Sequence, residues 1–314
     1  MKKIKNTNGD IWINSGGFCF QVGNFPTDSD DLDENYYIQP AYPVNSANPI
    51  SGDLNGRSIY VLDDTPLFFG KTGEIAEVSA IHELNIAGGT LRARSVRAKS
   101  GIFFAPGCVV QVNCEISSDG IIECYGGKIS AESIDARRIR FDSAGGPLNV
   151  SIQSSVVAER YEQYGGSVTI SGGLFIGADS AAGISVNGDY AYHNPAELSV
   201  SGDIISAGGI TIGKPGQDTR VTVLGAMRAE RAISISGGKT FIRGEIESQG
   251  GDISVIGGVM NAGSLNAAGE LAIGTAEDFY GLNDRITVFI ADKLQTKGPI
   301  RISGGTVYDG GNIA

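Results

Sequence analysis

The feature that most constrains this chain is a short recurring burst. An apolar residue, a polar one and a second apolar one are followed at once by glycine. Such bursts begin at Val168 (VTISGG), Ile184 (ISVNGD), Leu198 (LSVSGD), Ile210 (ITIG), Val221 (VTVLG), Ile233 (ISISGG), Ile253 (ISVIGG), Leu271 (LAIG), Ile286 (ITVFI) and Ile300 (IRISGG). Alternation at period two puts the β-branched residues on one face of a strand and Ser, Thr or Arg on the other. A burst of three to five residues is not stable alone. It needs neighbours on both edges and a partner for its apolar face.

Helix is excluded by the same pattern. The chain of 314 residues holds 46 glycines, about twice the usual share of ~7%. Each glycine inside a helix costs about 1 kcal/mol relative to alanine. With only ten prolines and no G-X-Y period, the glycines do not spell collagen either. A hydrophobic share of 41% is too high for a disordered chain.

A longer register organises the bursts. The segment from Ile204 (IISAGGITIG…VTVLG…ISISGG) is echoed from Leu265 (LNAAGELAIG…ITVFI…IRISGG), and a third copy starts at Ile134. Insertions fall between bursts and leave them intact, as loops on a repeated core do. Stacking each turn of chain on the next pairs every strand and merges the apolar faces into one core. Glycines then form the corners. The rival arrangement is an antiparallel sandwich or barrel, which also uses short strands. It is disfavoured because the linkers between bursts lack the Asn-Gly or Asp-Gly turns of hairpins. The expected fold class is therefore all-β, a single-stranded parallel β-helix.

The units ISISGG, LSVSGDIISAGGITIG and LNAAGELAIG, within the run from about Leu84 to Ile313, resemble bacterial β-helical solenoids of the polymer-forming kind, such as bactofilins. They are also similar to the coils of filamentous-haemagglutinin-type adhesins. The resemblance implies the fold and, by analogy, end-to-end assembly.

Residues 1–80 differ from the rest. They carry net charge −6 of the chain's −11, and Phe25–Gly56 is rich in proline, tyrosine and acidic residues. This composition predicts a loop-rich extension or cap over residues 1–80, with the β-helix occupying 81–314. Strand-like pieces at Ile11–Phe20 and Ser58–Leu62 are expected to begin or cap the solenoid. The acidic series Asp28, Asp30, Asp31, Asp33 and Glu34 lacks the central glycine and distant glutamate of an EF-hand, so it reads as a solvated loop.

No reaction centre is legible. There is no G-x-S-x-G, H-E-x-x-H or P-loop. His82 and His193 stand far apart, and none of Cys19, Cys108, Cys114 and Cys124 forms a C-x-x-C pair. The cysteines read as small core residues, and no metal or cofactor is expected. A polysaccharide-cleaving β-helix would bring carboxylates from neighbouring coils together on one face. Asp218 and Asp284, each close before an I/V-T-V strand, read instead as turn-capping residues.

Two surface features are candidates for binding. Arg92, Arg94, Arg97 and Lys99 make the most basic segment, LRARSVRAKS, a strip suited to a polyanion or acidic partner. Arg137, Arg138 and Arg140 would extend it if coils stack in register. Tyr190, Tyr192 and His193 (GDYAYHNPAE) form an aromatic loop suited to stacking on sugar. The acidic total argues against nucleic acid as a partner, and no stretch approaches the ~18 apolar residues of a membrane span. The basic start lacks the apolar run of a secretory leader. The chain reads as cytoplasmic, or as exported without a cleavable signal or carried on a virion. The function expected is a non-enzymatic structural or interaction protein that assembles with itself or with another protein. The alternatives are a polysaccharide-binding or -cleaving β-helix, as in phage tail spikes, and an exported toxin or adhesin.

Overall fold

In a computed structural model the chain is a parallel β-solenoid of about 12 turns. The structure describes residues 11–14, 17–20, 46–47, 49–52, 54–62, 64–177, 183–188, 194–274 and 286–310; within 11–20 only Ile13 is described beyond the backbone. Among these residues there is no helix.

Each turn contributes one strand to each of three walls. On wall A the inward ladder climbs through Val96, Ile116, Ile134, Val156 and Leu174, and on through Ile204 and Met227 to Leu294. On wall B it runs from Ile102 through Ile122, Ile139, Tyr161, Ile184, Ile210, Ile233, Ile253 and Leu271 to Ile300. Wall C stacks Val110, Ile129, Val150, Val168, Leu198, Val221, Thr240, Met260, Val288 and Val307. All these pairings are parallel. Inside, the walls share one continuous apolar core, and each fully buried Ile or Leu contributes about 2–3 kcal/mol.

The bursts read from the sequence belong to walls B and C. Ile210, Ile233, Ile253 and Leu271 are direct neighbours on wall B, and Val168, Leu198 and Val221 on wall C. Wall A uses a less conspicuous strand that ends in a small inward residue. Ala80, Ala98, Ser118, Ala136 and Ala158 lie one above another there, as do Ser206, Ala229, Ser248 and Ala267 further along. These residues precede the tight corner into wall B, where a larger side chain would crowd the turn. Where serine stands, its hydroxyl accepts a corner amide: Gly120 donates to Ser118 and Gly208 to Ser206, both at 3.1 Å. The exception is Ile176, in the turn where wall B resumes only at Ile184.

The corner from wall C to wall A needs glycine for a different reason. A Cβ on Gly225 would lie 2.6 Å from the Gly202 carbonyl oxygen, and one on Gly244 would lie 2.7 Å from that of Gly225. Successive corners approach backbone to backbone, so no side chain fits between them. Asp residues also fasten corners between turns. Asp203 Oδ1 accepts the Ala226 amide and Asp252 Oδ1 accepts the Glu270 amide, each at 2.7 Å.

Parallel stacking extends back to Ile50. At the start, Ile11–Asn14 pairs in parallel with Ser58–Val61 and antiparallel with Gly17–Phe20. This is the only antiparallel pairing among the described residues. It places a strand on each edge of Ile11–Asn14, and Ile13 is fully buried.

Candidate functional site

The cations Arg92, Arg94, Arg97 and Lys99 are all exposed. Arg92 points outward on wall C and its Nε donates to Gln111 one turn away at 3.1 Å. Arg97 stands on wall A, level with Ser79 and Ser117. The backbone turns a corner between them, with Arg94 at its start, and Lys99 sits at the next corner. Tyr190, Tyr192, His193 and the acidic series Asp28–Glu34 lie outside the described residues, as does Asp284. Among the described residues the Asp218 side chain accepts no backbone amide; it pairs with Arg220 at 3.2 Å, and Arg220 also reaches Glu197 at 3.0 Å.

Register does bring acidic residues of successive turns together, on wall B. The outward faces of three turns hold Glu123 and Tyr125, then Arg138, Arg140 and Asp142, then Arg160, Glu162 and Tyr164. Glu162 is almost wholly buried. Its Oε2 accepts Arg138 Nε at 2.8 Å, and its Oε1 accepts Arg160 at 2.7 Å and the Tyr164 hydroxyl at 3.3 Å. Asp142 takes Arg140 at 2.7 Å on one oxygen and the Ala144 amide at 2.9 Å on the other. The Tyr125 hydroxyl donates to Glu123. The Arg140 guanidinium lies 5.8 Å from the Tyr125 ring centroid and 5.2 Å from that of Tyr164, within cation–π range. Burial raises the pKa of both phenols, reinforced by the carboxylates Glu123 and Glu162. Burial opposes the charge on Arg140, yet its bond to Asp142 and the charge there hold its pKa above the usual value. Each carboxylate is thus already engaged within the wall. The arrangement clamps three turns together.

Of the cysteines, two are placed as packing groups, and the side chain of Cys19 lies outside the described ones. Cys108 and Cys124 are buried in the core, and burial raises both thiols, which disfavours the thiolate needed for nucleophilic attack. Cys114, expected inside, is exposed at a corner. Among the described residues no group of three His, Cys, Asp or Glu is placed to hold a metal ion. Nor is any helix long and apolar enough to cross a membrane.

Three other surfaces stand out. On wall C a shallow groove of about 230 Å³ is lined by Gln111, Lys128, Ser130, Asn149, Ser151 and Thr169, among others. Further along the same wall, Phe241, Phe289 and Tyr308 project into solvent around a groove of about 450 Å³. The third is the last turn. Ile302 points inward on wall B, above Ile273, yet is 53% exposed. Neither Ile300–Ile302 nor Thr306–Asp309 has a strand on its far edge among the described residues.

Together the fold and these walls define a β-solenoid protein, a class compatible with structural or binding roles. No family model matches the chain, and no curated protein or solved structure matches it either.

Proposed function

We propose that this chain is a non-enzymatic structural or interaction protein whose rigid solenoid self-assembles end to end through the turn that holds Ile302. The observation that carries the reading is Ile302, a core-ladder residue left 53% exposed. A sheet edge with no neighbouring strand among the described residues, beside open core, is a template for another chain. The two ends differ: Ile13, at the start, is fully buried, and its strand is paired on both edges. Two open turns that meet about a two-fold axis would bury their cores against each other, whereas a head-to-tail contact would propagate into a filament. The saturated wall B network supports a scaffold role, since it stiffens the rod without offering a reactive group.

Sedimentation and negative-stain microscopy over a wide concentration range test this. Dimers of doubled length or filaments are expected, and Ile302→Lys is expected to yield monomers. A wild-type chain that stays monomeric throughout overturns the proposal.

A further inference from the structure

The groove around Phe241 and Phe289 has the dimensions and chemistry of a site for one sugar ring. On wall C the outward column runs Phe241, Asn261, Phe289, Tyr308 in four successive turns. Earlier in the same column stand Ser130, Ser151, Thr169, Ser199 and Thr222, so aromatic residues are confined to this end. Phe241 is 45% exposed, Phe289 40% and Tyr308 54%, although a buried aromatic ring would stabilise the fold more.

The rings set their own ruler. Phe289 and Tyr308, one turn apart, stack with centroids 4.7 Å apart and planes 7° apart. Phe241 lies two turns from Phe289, which is about 9.5 Å at the usual strand spacing. Between them the column holds only Asn261, whose side chain is too short to fill the gap. A ring seated midway would lie about 4.8 Å from each phenyl, within normal stacking range. Asn261 would be its floor, offering both a donor and an acceptor. The side chains of Asn261 and Arg243 have no hydrogen-bond or ion-pair partner among the described residues.

Charge narrows the choice of ring. Among the described residues Arg243 is the only charged side chain lining the groove. A guanidinium there favours a carboxylate, which it binds with two parallel hydrogen bonds. A pyranose has flat C–H faces for the phenyls and polar edges for Asn261. With a carboxylate at C5 it also answers Arg243. The geometry points to a binding site for a uronic acid residue of an acidic polysaccharide, held between Phe241 and Phe289 with its carboxylate on Arg243. This assignment is independent of end-to-end assembly.

Isothermal titration of the full chain with trigalacturonate and with its methyl ester tests it, since the ester keeps the ring shape and removes the charge. The acid is expected to bind more tightly than the ester. Phe289→Ala should weaken both by about tenfold or more, consistent with loss of an aromatic face. Arg243→Gln should weaken the acid by about tenfold and leave the ester unchanged. Both side chains are exposed, and a melting curve for each variant confirms folding. The proposal is overturned if wild type binds neither sugar, or if Phe289→Ala binds as wild type does. It is also overturned if Phe289→Ala leaves sugar binding intact and abolishes self-association in sedimentation, which would make the groove a contact between copies.

Discussion

Thr240 shows how sharply position decides the role of a residue here. It occupies an inward place on wall C, between Val221 and Met260. It is 1% exposed, and its hydroxyl has no partner. A buried hydroxyl without a hydrogen bond costs about 1–3 kcal/mol. Thr240→Val keeps the branched shape and removes that cost. It is therefore expected to stabilise the chain by about 1 kcal/mol, read as a higher midpoint in chemical denaturation; a lower midpoint would contradict this. Gln163 is the opposite case, also inward and fully buried. Its amide donates to the Gly166 and Glu197 carbonyls, and its oxygen accepts the Tyr161 hydroxyl, all at 3.0 Å. At this scale the sequence was readable where the inward residue is aliphatic. Thr240 and Gln163 are polar at inward positions, so alternation of polarity does not reveal their burial.

The strands and corners were legible to differing degrees. Walls B and C announced themselves because their inward residues are β-branched and followed by glycine. Wall A was partly hidden, since Ala or Ser fills its second inward place and resembles a loop residue. The wall B network could not be read at all. Arg138 and Glu162 are neighbours only because one turn of chain separates them, and the turn length varies with each insertion. The aromatic column left a weak signal, the outward position of TFIR, VFIA and VYDG, which aligning the bursts by wall would have exposed. The network has a consequence for stability. Burial raises the pKa of Tyr125, Tyr164 and, most strongly, the core residue Tyr161. The folded chain therefore retains phenolic protons above the ordinary value of 10.0, where the unfolded chain releases them. That contribution is fully present below about pH 10 and is lost as pH rises through the folded-state values. Denaturation midpoints measured between about pH 9 and 11 should fall, and fall less steeply in Tyr164→Phe. A flat profile would count against the buried phenols.

For the whole molecule, insertion length and coil geometry are decoupled. On wall C, Ser151 and Thr169 are adjacent in register although 18 residues apart, and Thr169 and Ser199 are adjacent although 30 apart. The extra residues fall in sequence between strands of different walls, which is why the repeat looked irregular in sequence while the ladder stayed continuous. Resemblance to polymer-forming solenoids rests on the same ladder and goes no further than the fold. The measurement that tests parallel stacking most directly is the distance between spin labels along one outward column, with Cys19 and Cys114 replaced by serine. Labels at Gln111 and Ser199 should lie about 19 Å apart, and at Gln111 and Thr222 about 24 Å, one strand spacing per turn whatever the length of chain between. Distances that follow sequence separation, or that shorten as a hairpin folds back, would contradict the parallel solenoid.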